Sequence, residues 1–432
     1  MALLDEDNAY LRKFALAPEA VAARPRADLG MVIVIPCHDE PDLTASLAAL
    51  SRCDAPRSSV EIIVVVNHSE ADSADIRRNN IVTLEAAEAW RSQNATPRLQ
   101  VHLLRSFDQP RKRAGVGMAR KLGMDEAVRR FEQADIGGNG VIVCFDADCK
   151  CDRNYLVELE HHFQTNANTP GCAICFEHPL DEAFGIAQRE AITAYELHLR
   201  CYINGLRYAG FPAAYQTVGS SMAVRAWAYK KQGGMNCRQA GEDFYFLHRI
   251  IDLGGFTELN STRVIPSPRP SHRVPFGTGR AVRQSLDNPD HPASTYAMQS
   301  YRDLRQLLGL ARDLRLASPE ATGRKLRRLS PALRSFLETQ EFPDELDKMR
   351  RETQREDTYR KRFFGWFNAF RVMKYMHHGR DGFYGTGNIT ESAVELLRLL
   401  GRKHGISSDA TPGQLLERYR EMDRQGWNPE PW

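Results

Sequence analysis

Four short runs rich in β-branched and aliphatic residues constrain this chain more than anything else in it: Met31-Val-Ile-Val-Ile35, Glu61-Ile-Ile-Val-Val-Val66, Leu99-Gln-Val-His-Leu-Leu104 and Val141-Ile-Val-Cys-Phe145. Nearly continuous hydrophobicity over so few residues marks strands buried on both faces, the habit of parallel sheets. Segments of helical spacing lie between them, as where Leu43, Leu47 and Leu50 repeat behind Asp42 at the cap position. Strands and helices in alternation predict a doubly wound α/β domain with a mostly parallel sheet.

Open α/β sheets bind ligands just beyond the carboxyl ends of their strands, so the residues following each run are the first candidates for a site. The fourth run stops at Asp146-Ala147-Asp148. Two acids there serve either as turn and cap formers or as a divalent-cation site, because Mg²⁺-type ions are commonly held by one or two carboxylates plus substrate phosphates. The first run ends in Pro36-Cys-His-Asp-Glu40, with Glu40 opening a helix where it can cap the helix or accept from a ribose. The second ends in Asn67-His-Ser-Glu-Ala-Asp72, polar residues able to read a base edge or to form a turn.

Between the third and fourth runs lies Arg111-Lys-Arg-Ala-Gly-Val-Gly-Met-Ala-Arg-Lys-Leu-Gly123. Its glycines let the backbone approach a ligand, and the following helix offers free N–H groups to an anion. Lys112, Arg113, Arg120 and Lys121 add positive charge. The G-x-G-x-x-G spacing after a first strand is absent, so a nicotinamide fingerprint is not supported. Further on, Glu242 and Asp243 open an amphipathic helix carrying Phe246, Ile250 and Ile251. Helix dipoles favour acids there, and a general base sits there equally well. His272 lies in the Pro/Gly-rich loop 266–279 beside Arg269, Arg273 and Arg280, where an imidazole can complete a metal shell and arginines can hold phosphate oxygens.

With 432 residues, 42% hydrophobic and 26% charged, the chain has ordinary globular composition and needs no disulfide staples for its core. Its formal charge of +3 gives no ground for a nucleic-acid partner. No apolar stretch approaches the ~18 residues of a membrane span. The acidic opening Met1-Ala-Leu-Leu-Asp-Glu-Asp7 lacks the basic and apolar regions of a signal peptide. These features, with nine cysteines partly in strand-like runs, predict a cytoplasmic protein with reduced thiols. Beyond about residue 298 the chain turns helical and rich in Arg and Glu, with both signs interspersed as on solvated faces. The aromatic stretch Arg360 to Tyr375 is read as helical core, with contact to an acceptor or at the inner membrane face as the alternative.

The order of these features resembles the family 2 glycosyltransferases. Ile33 to Glu40 looks like that family's opening strand and P-x-x-x-E turn. Val64 to Asp72 stands where it carries V-D-D-G-S-x-D, with Asn67 in place of an Asp, and Lys112 to Gly123 looks like K-x-G-x-x-x-A-R-N-x-G, with Lys121 in place of Asn. Asp146-Ala-Asp148 matches the D-x-D motif, and Gly233-Gly-Met-Asn236 with Gly241-Glu-Asp243 looks like the acceptor-side motifs. The resemblance covers about residues 30 to 280. It implies a GT-A type, Rossmann-like mixed sheet over 29–280, with 29–150 as the nucleotide-binding half and 151–280 as the acceptor half and lid loop. A lead-in of 1–28 precedes it and a helical region of 281–432 follows.

The same resemblance implies roles. Pro36, His38, Glu40 and Asn67 would meet the nucleotide, Lys112, Arg113, Arg120 and Arg273 the rest of a nucleotide-diphosphate sugar, and Asp146 the ribose or the metal shell. Asp148, with Asp146 and His272, would hold Mn²⁺ or Mg²⁺. Gly234, Met235 and Glu242 would lie on the acceptor side, and Asp243 would deprotonate an acceptor hydroxyl with inversion at the anomeric carbon. The acceptor would be a saccharide, lipid-linked or small-molecule hydroxyl. Two rivals use similar parts: a metal-dependent sugar nucleotidyltransferase, which releases pyrophosphate, and a non-catalytic sugar-nucleotide-binding protein.

Overall fold

The protein is described by a computed structural model covering residues 8–271, 277–290, 292–402, 407 and 409–427. It divides into two compact units, one of residues 1–179 with 216–280 and the other of 180–215 with 281–432.

The first unit is built on an eight-stranded mixed sheet in the order β3-β2-β1-β4-β7-β6-β8-β5. Its strands are β1 (Leu29–Cys37), β2 (Ser59–Ser69), β3 (Leu99–Gln109), β4 (Val141–Cys144), β5 (Lys150–Cys151), β6 (Gly171–Phe176), β7 (Met222–Arg225) and β8 (Thr257–Ile265). The four apolar runs of the sequence are β1 to β4, all parallel, with Ile33 of β1 opposite Ile62 of β2 and Val143 of β4. β1 sits between β2 and β4, and its residues from Met31 to Cys37 are all buried, as is the whole of β2. Removing each such Val or Ile side chain from water contributes about 1.5–3 kcal/mol. β7 then runs antiparallel to both β4 and β6, which makes the sheet mixed.

The strand pairing explains where the chain opens. The β1–β4 ladder ends at Val34 opposite Cys144. Two residues later comes Pro36, which has no N–H with which to extend a ladder, and β4 turns away into Asp146. Helix Leu43–Ser51 follows as the leucine spacing predicts, but Asp42 makes no side-chain cap bond. Instead its own N–H donates to Glu40 at 3.1 Å.

Helix Val116–Gln133 lies against β1 and β2 through Gly123. A Cβ at Gly123 would stand 2.5 Å from Val34 Cγ1 and 3.2 Å from Val65 Cγ2. Gly123→Val is therefore expected to lower unfolding free energy by about 1–3 kcal/mol through overpacking, measured by urea denaturation. Unchanged stability would mean that the helix can retreat from the sheet without loss.

The second unit is helical. Helix Ile186–Ala209 groups with Met298–Leu316, Ile389–Leu399 and Pro412–Arg424. Arg420 binds Glu196 through two bonds of 2.8 and 2.9 Å, both side chains buried. Asp303, also buried, accepts the hydroxyls of Ser330, Tyr375 and Tyr384 at 2.7, 2.6 and 2.7 Å. Phe363, Trp366 and Phe367 of the aromatic stretch are buried, as a helical core requires. Prolines open two of its helices: Pro331 follows Ser330 and Pro319 follows Ser318, each at the start of a new helix. Among the described residues no helix is long and apolar enough to cross a membrane.

Candidate active site

Two arginines organise the acids at the strand ends of the first unit. Arg120, on helix Val116–Gln133, has a side chain only 4% exposed and meets Asp146 at 2.5 Å through Nη2 while Nη1 donates to Glu242. Arg269, in the segment following β8, donates to Glu40 and lies 3.5 Å from Asp148. The two aspartates of the D-x-D pair thus face different cations. Their side chains are 36% and 30% exposed, respectively, so both can be reached from solvent.

The Arg120 cluster has the stronger electrostatics. Burial raises the Glu242 pKa to about 7; Arg120 opposes the rise, and Asp243 and Asp146 add to it. Burial also raises Asp243, again against Arg120. Arg120 itself is desolvated, which works against its charge, yet Asp146 and Glu242 more than restore it, so its pKa is raised. Three carboxylates converging on one guanidinium cannot all ionise at low cost. Glu242 is 2% exposed and held by the arginine, whereas Asp243 is half-buried and binds the N–H of its own neighbour Phe244 at 2.7 Å. Gly219 backs the cluster: a Cβ there would stand 2.7 Å from the Arg120 guanidinium.

The first two strand ends are tied to each other. His38 Nδ1 lies 2.9 Å from the Asn67 carbonyl, which also accepts from Asn80 at 3.0 Å. Asn80, fully buried on helix Ala74–Asn94, takes the Asp39 N–H at 2.9 Å, and Thr83 from the same helix donates to the Glu40 carbonyl. Asp39 is left-handed, with φ of 50°, a strained conformation that these bonds hold. The Asn67 side chain is itself buried, and the next residue, His68, stacks on Phe107 at 4.4 Å.

The glycine-rich segment behaves differently from its sequence reading. Its glycines admit protein rather than ligand: a Cβ on Gly117 would strike the carbonyls of Arg238 and Asn236 at 2.4 and 2.7 Å. The helix N-terminus is thereby pressed against the 236–239 segment, which Gln239 ties to the Arg111 carbonyl at 2.7 Å. Lys112 and Arg113 stand exposed on the turn before that helix. Lys121 points elsewhere, into a buried group where Asp125 accepts from Lys121, Tyr10 and Tyr229. Gly234 and Met235 are likewise packed inside. Gly234 has φ of 79°, and a Cβ on it would collide with the Tyr10 hydroxyl at 2.0 Å, while Met235 is 2% exposed. Asn236 alone of that turn reaches the acid cluster, donating to the Glu242 carbonyl at 2.9 Å. His272 and Arg273 lie outside the described residues.

Sequence reasoning passed over Asn80 and Thr83, which look like ordinary polar helix residues, and read Arg269 only as one of the loop arginines able to hold phosphate oxygens, not as the partner of Glu40 and Asp148. The Pro-Arg-Pro context of Arg269 was the available signal.

Carboxylate oxygens are the right donors for Mn²⁺ or Mg²⁺, and the exposed faces of Asp146 and Asp148 fit such an ion. Among the described residues no three His, Cys, Asp or Glu side chains gather to cage one. An ion here would need substrate phosphate oxygens to complete its shell, which is how Mg²⁺ usually binds.

No family model matches the chain, and no curated protein matches it. Solved structures with some likeness include S. aureus TarS 1-349 in complex with UDP-GlcNAc, at 11% identity and TM-score 0.39, with 92% of each chain covered. Another is the mannosyltransferase PcManGT from Pyrobaculum calidifontis in complex with GDP-Man and Mn²⁺, at 13% identity and TM-score 0.34, covering 96% of this chain and 91% of that one. At these scores the likeness assigns neither family nor substrate.

Proposed function

We propose that this chain transfers a sugar from a nucleotide-diphosphate sugar to an acceptor hydroxyl, with a divalent cation and with inversion. The observation that carries it is Arg120, which joins Asp146 at the end of β4 to Glu242, the first of the two acids opening helix Glu242–Ile251. Donor-side and acceptor-side chemistry thereby share one rigid support, as a displacement between two substrates requires.

Asp148, with Asp146, would hold Mn²⁺ or Mg²⁺, which when bound supplies electrostatic stabilisation to the departing diphosphate. The exposed Lys112 and Arg113 add positive charge for the phosphates. His38, with the buried Pro36, Glu40 and Asn67 behind it, would form the nucleotide end, kept in shape by Asn80 and Thr83. Asp243 takes the proton from the acceptor hydroxyl. Its raised pKa makes it a better base than an ordinary aspartate and brings it nearer to working pH. Glu242, locked on Arg120, orients the helix N-terminus rather than meeting substrate. With Asp243 as base, the acceptor oxygen would displace the diphosphate in one step, hence inversion. The acceptor class stays among saccharide, lipid-linked and small-molecule hydroxyls, in a cytoplasmic setting.

A thermal-shift series of nucleotide-diphosphate sugars with and without Mn²⁺ tests this. One donor is expected to raise Tm only when the cation is present, and Asp148→Ala is expected to abolish that cation-dependent part. At ligand about 100 times Kd, the stabilisation is about 2.7 kcal/mol, well within detection. If no nucleotide sugar shifts Tm with either cation, the assignment is wrong.

A further inference from the structure

Arg269 spans carboxylates from two strand ends. It donates to Glu40 through Nη2, which also lies 3.5 Å from Asp148 Oδ2, and its Nη1 is 4.0 Å from Asp42 Oδ2. Glu40 is 1% exposed and also receives the Asp42 N–H at 3.1 Å. The arginine is therefore anchored on an enclosed, fixed carboxylate. Its backbone is held as well: Ser271 donates to the Gly279 carbonyl at 3.0 Å, and a Cβ on Gly279 would stand 2.5 Å from the Ser271 Cβ. Asp148, the more open partner, thus faces a cation whose position its surroundings define.

A guanidinium resting beside a carboxylate weakens that carboxylate's attraction for an incoming divalent ion. A diphosphate, by contrast, offers the guanidinium a paired-oxygen acceptor of the geometry it prefers. We propose that Arg269 is a resident counter-ion to Asp148: it blocks cation capture by the bare protein and releases Asp148 when a diphosphate arrives to take its charge. Cation and nucleotide then bind as one unit, each raising the affinity for the other by the same factor. This rests on the donor site described under Proposed function. It gives Arg269 a positioning role that the D-x-D motif alone does not imply.

Mn²⁺ binding followed by electron paramagnetic resonance tests it, without turnover, using Mn²⁺ alone and Mn²⁺ with uridine, guanosine, adenosine and cytidine diphosphates in turn. Wild type is expected to bind Mn²⁺ tightly only with one of the nucleotides. Arg269→Met should bind Mn²⁺ roughly 10-fold more tightly than wild type without nucleotide, and Arg269→Lys, which keeps the charge, should bind Mn²⁺ alone as weakly as wild type. General damage to the fold would weaken Mn²⁺ binding, so a gain cannot come from misfolding. Asp148→Ala in the Arg269→Met background should erase the gain. If wild type shows nucleotide-dependent Mn²⁺ binding but Arg269→Met gains nothing alone, the counter-ion role is refuted and the donor site stands. If no nucleoside diphosphate creates a Mn²⁺ site in wild type, the donor site fails and the counter-ion role fails with it.

Discussion

Asp243→Asn is expected to lower the transfer rate by ~10²–10⁴-fold, the usual contribution of a positioned general base, while donor affinity stays unchanged. The substitution is close to isosteric, and an Asn oxygen can still accept the Phe244 N–H that Asp243 binds at 2.7 Å. What it removes is the proton acceptor. A fall in kcat without a rise in the donor's KM would mark an interaction made in the transition state. The neighbouring acid is the control. Glu242 is 2% exposed and engaged by Arg120, so Glu242→Gln should act through the geometry and stability of the cluster instead. Transfer by Asp243→Asn at the wild-type rate would remove the base from this position. Steady-state kinetics with the donor found by thermal shift decide the matter.

How much of this was legible in the sequence depends on the range over which each signal acts. The strands β1 to β4 were readable because a strand buried on both faces needs an unbroken apolar run, and that is a local property. Strand β8 was not, since Thr257-Glu-Leu-Asn-Ser-Thr-Arg-Val-Ile265 mixes buried, partly exposed and exposed residues and carries six polar ones. The antiparallel direction of β7 is set by its partners β4 and β6, which no local pattern encodes. At the site, the acids Asp146, Asp148, Glu242 and Asp243 were visible because carboxylates at element ends are chemically conspicuous. Their distribution between Arg120 and Arg269 was not, because those arginines come from 26 residues before Asp146 and well over 100 residues after Asp148. The Arg111–Gly123 segment misled for a related reason. Glycine signals close approach, and only the fold reveals that the approaching group at Gly117 is the 236–238 backbone and at Gly123 is Val34.

The largest stability effect is expected at Arg120. Arg120→Met keeps much of the aliphatic stem but removes the guanidinium that lies against Gly219 and leaves Asp146, Glu242 and Asp243 without their common cation. Breaking a buried ion pair by removing one partner costs about 3–5 kcal/mol, because the remaining charge is stranded. The loss should depend on pH with a definite sign. Glu242 has its folded pKa raised from 4.5 to about 7, so the folded state binds the proton more tightly than the unfolded chain does. Its contribution is present in full below about 4.5 and is lost as pH rises through about 7. Arg120 is what limits that rise, so without it Glu242 and Asp243 titrate higher and the stability lost on ionising them grows. The Tm difference between wild type and Arg120→Met should therefore be largest above pH 7 and shrink toward pH 4.5, where the variant's acids carry protons. Denaturation scans across that range measure it. A Tm difference that stayed constant with pH would mean that Arg120 supports the fold by packing alone, and the charge network around Asp243 would need another organiser.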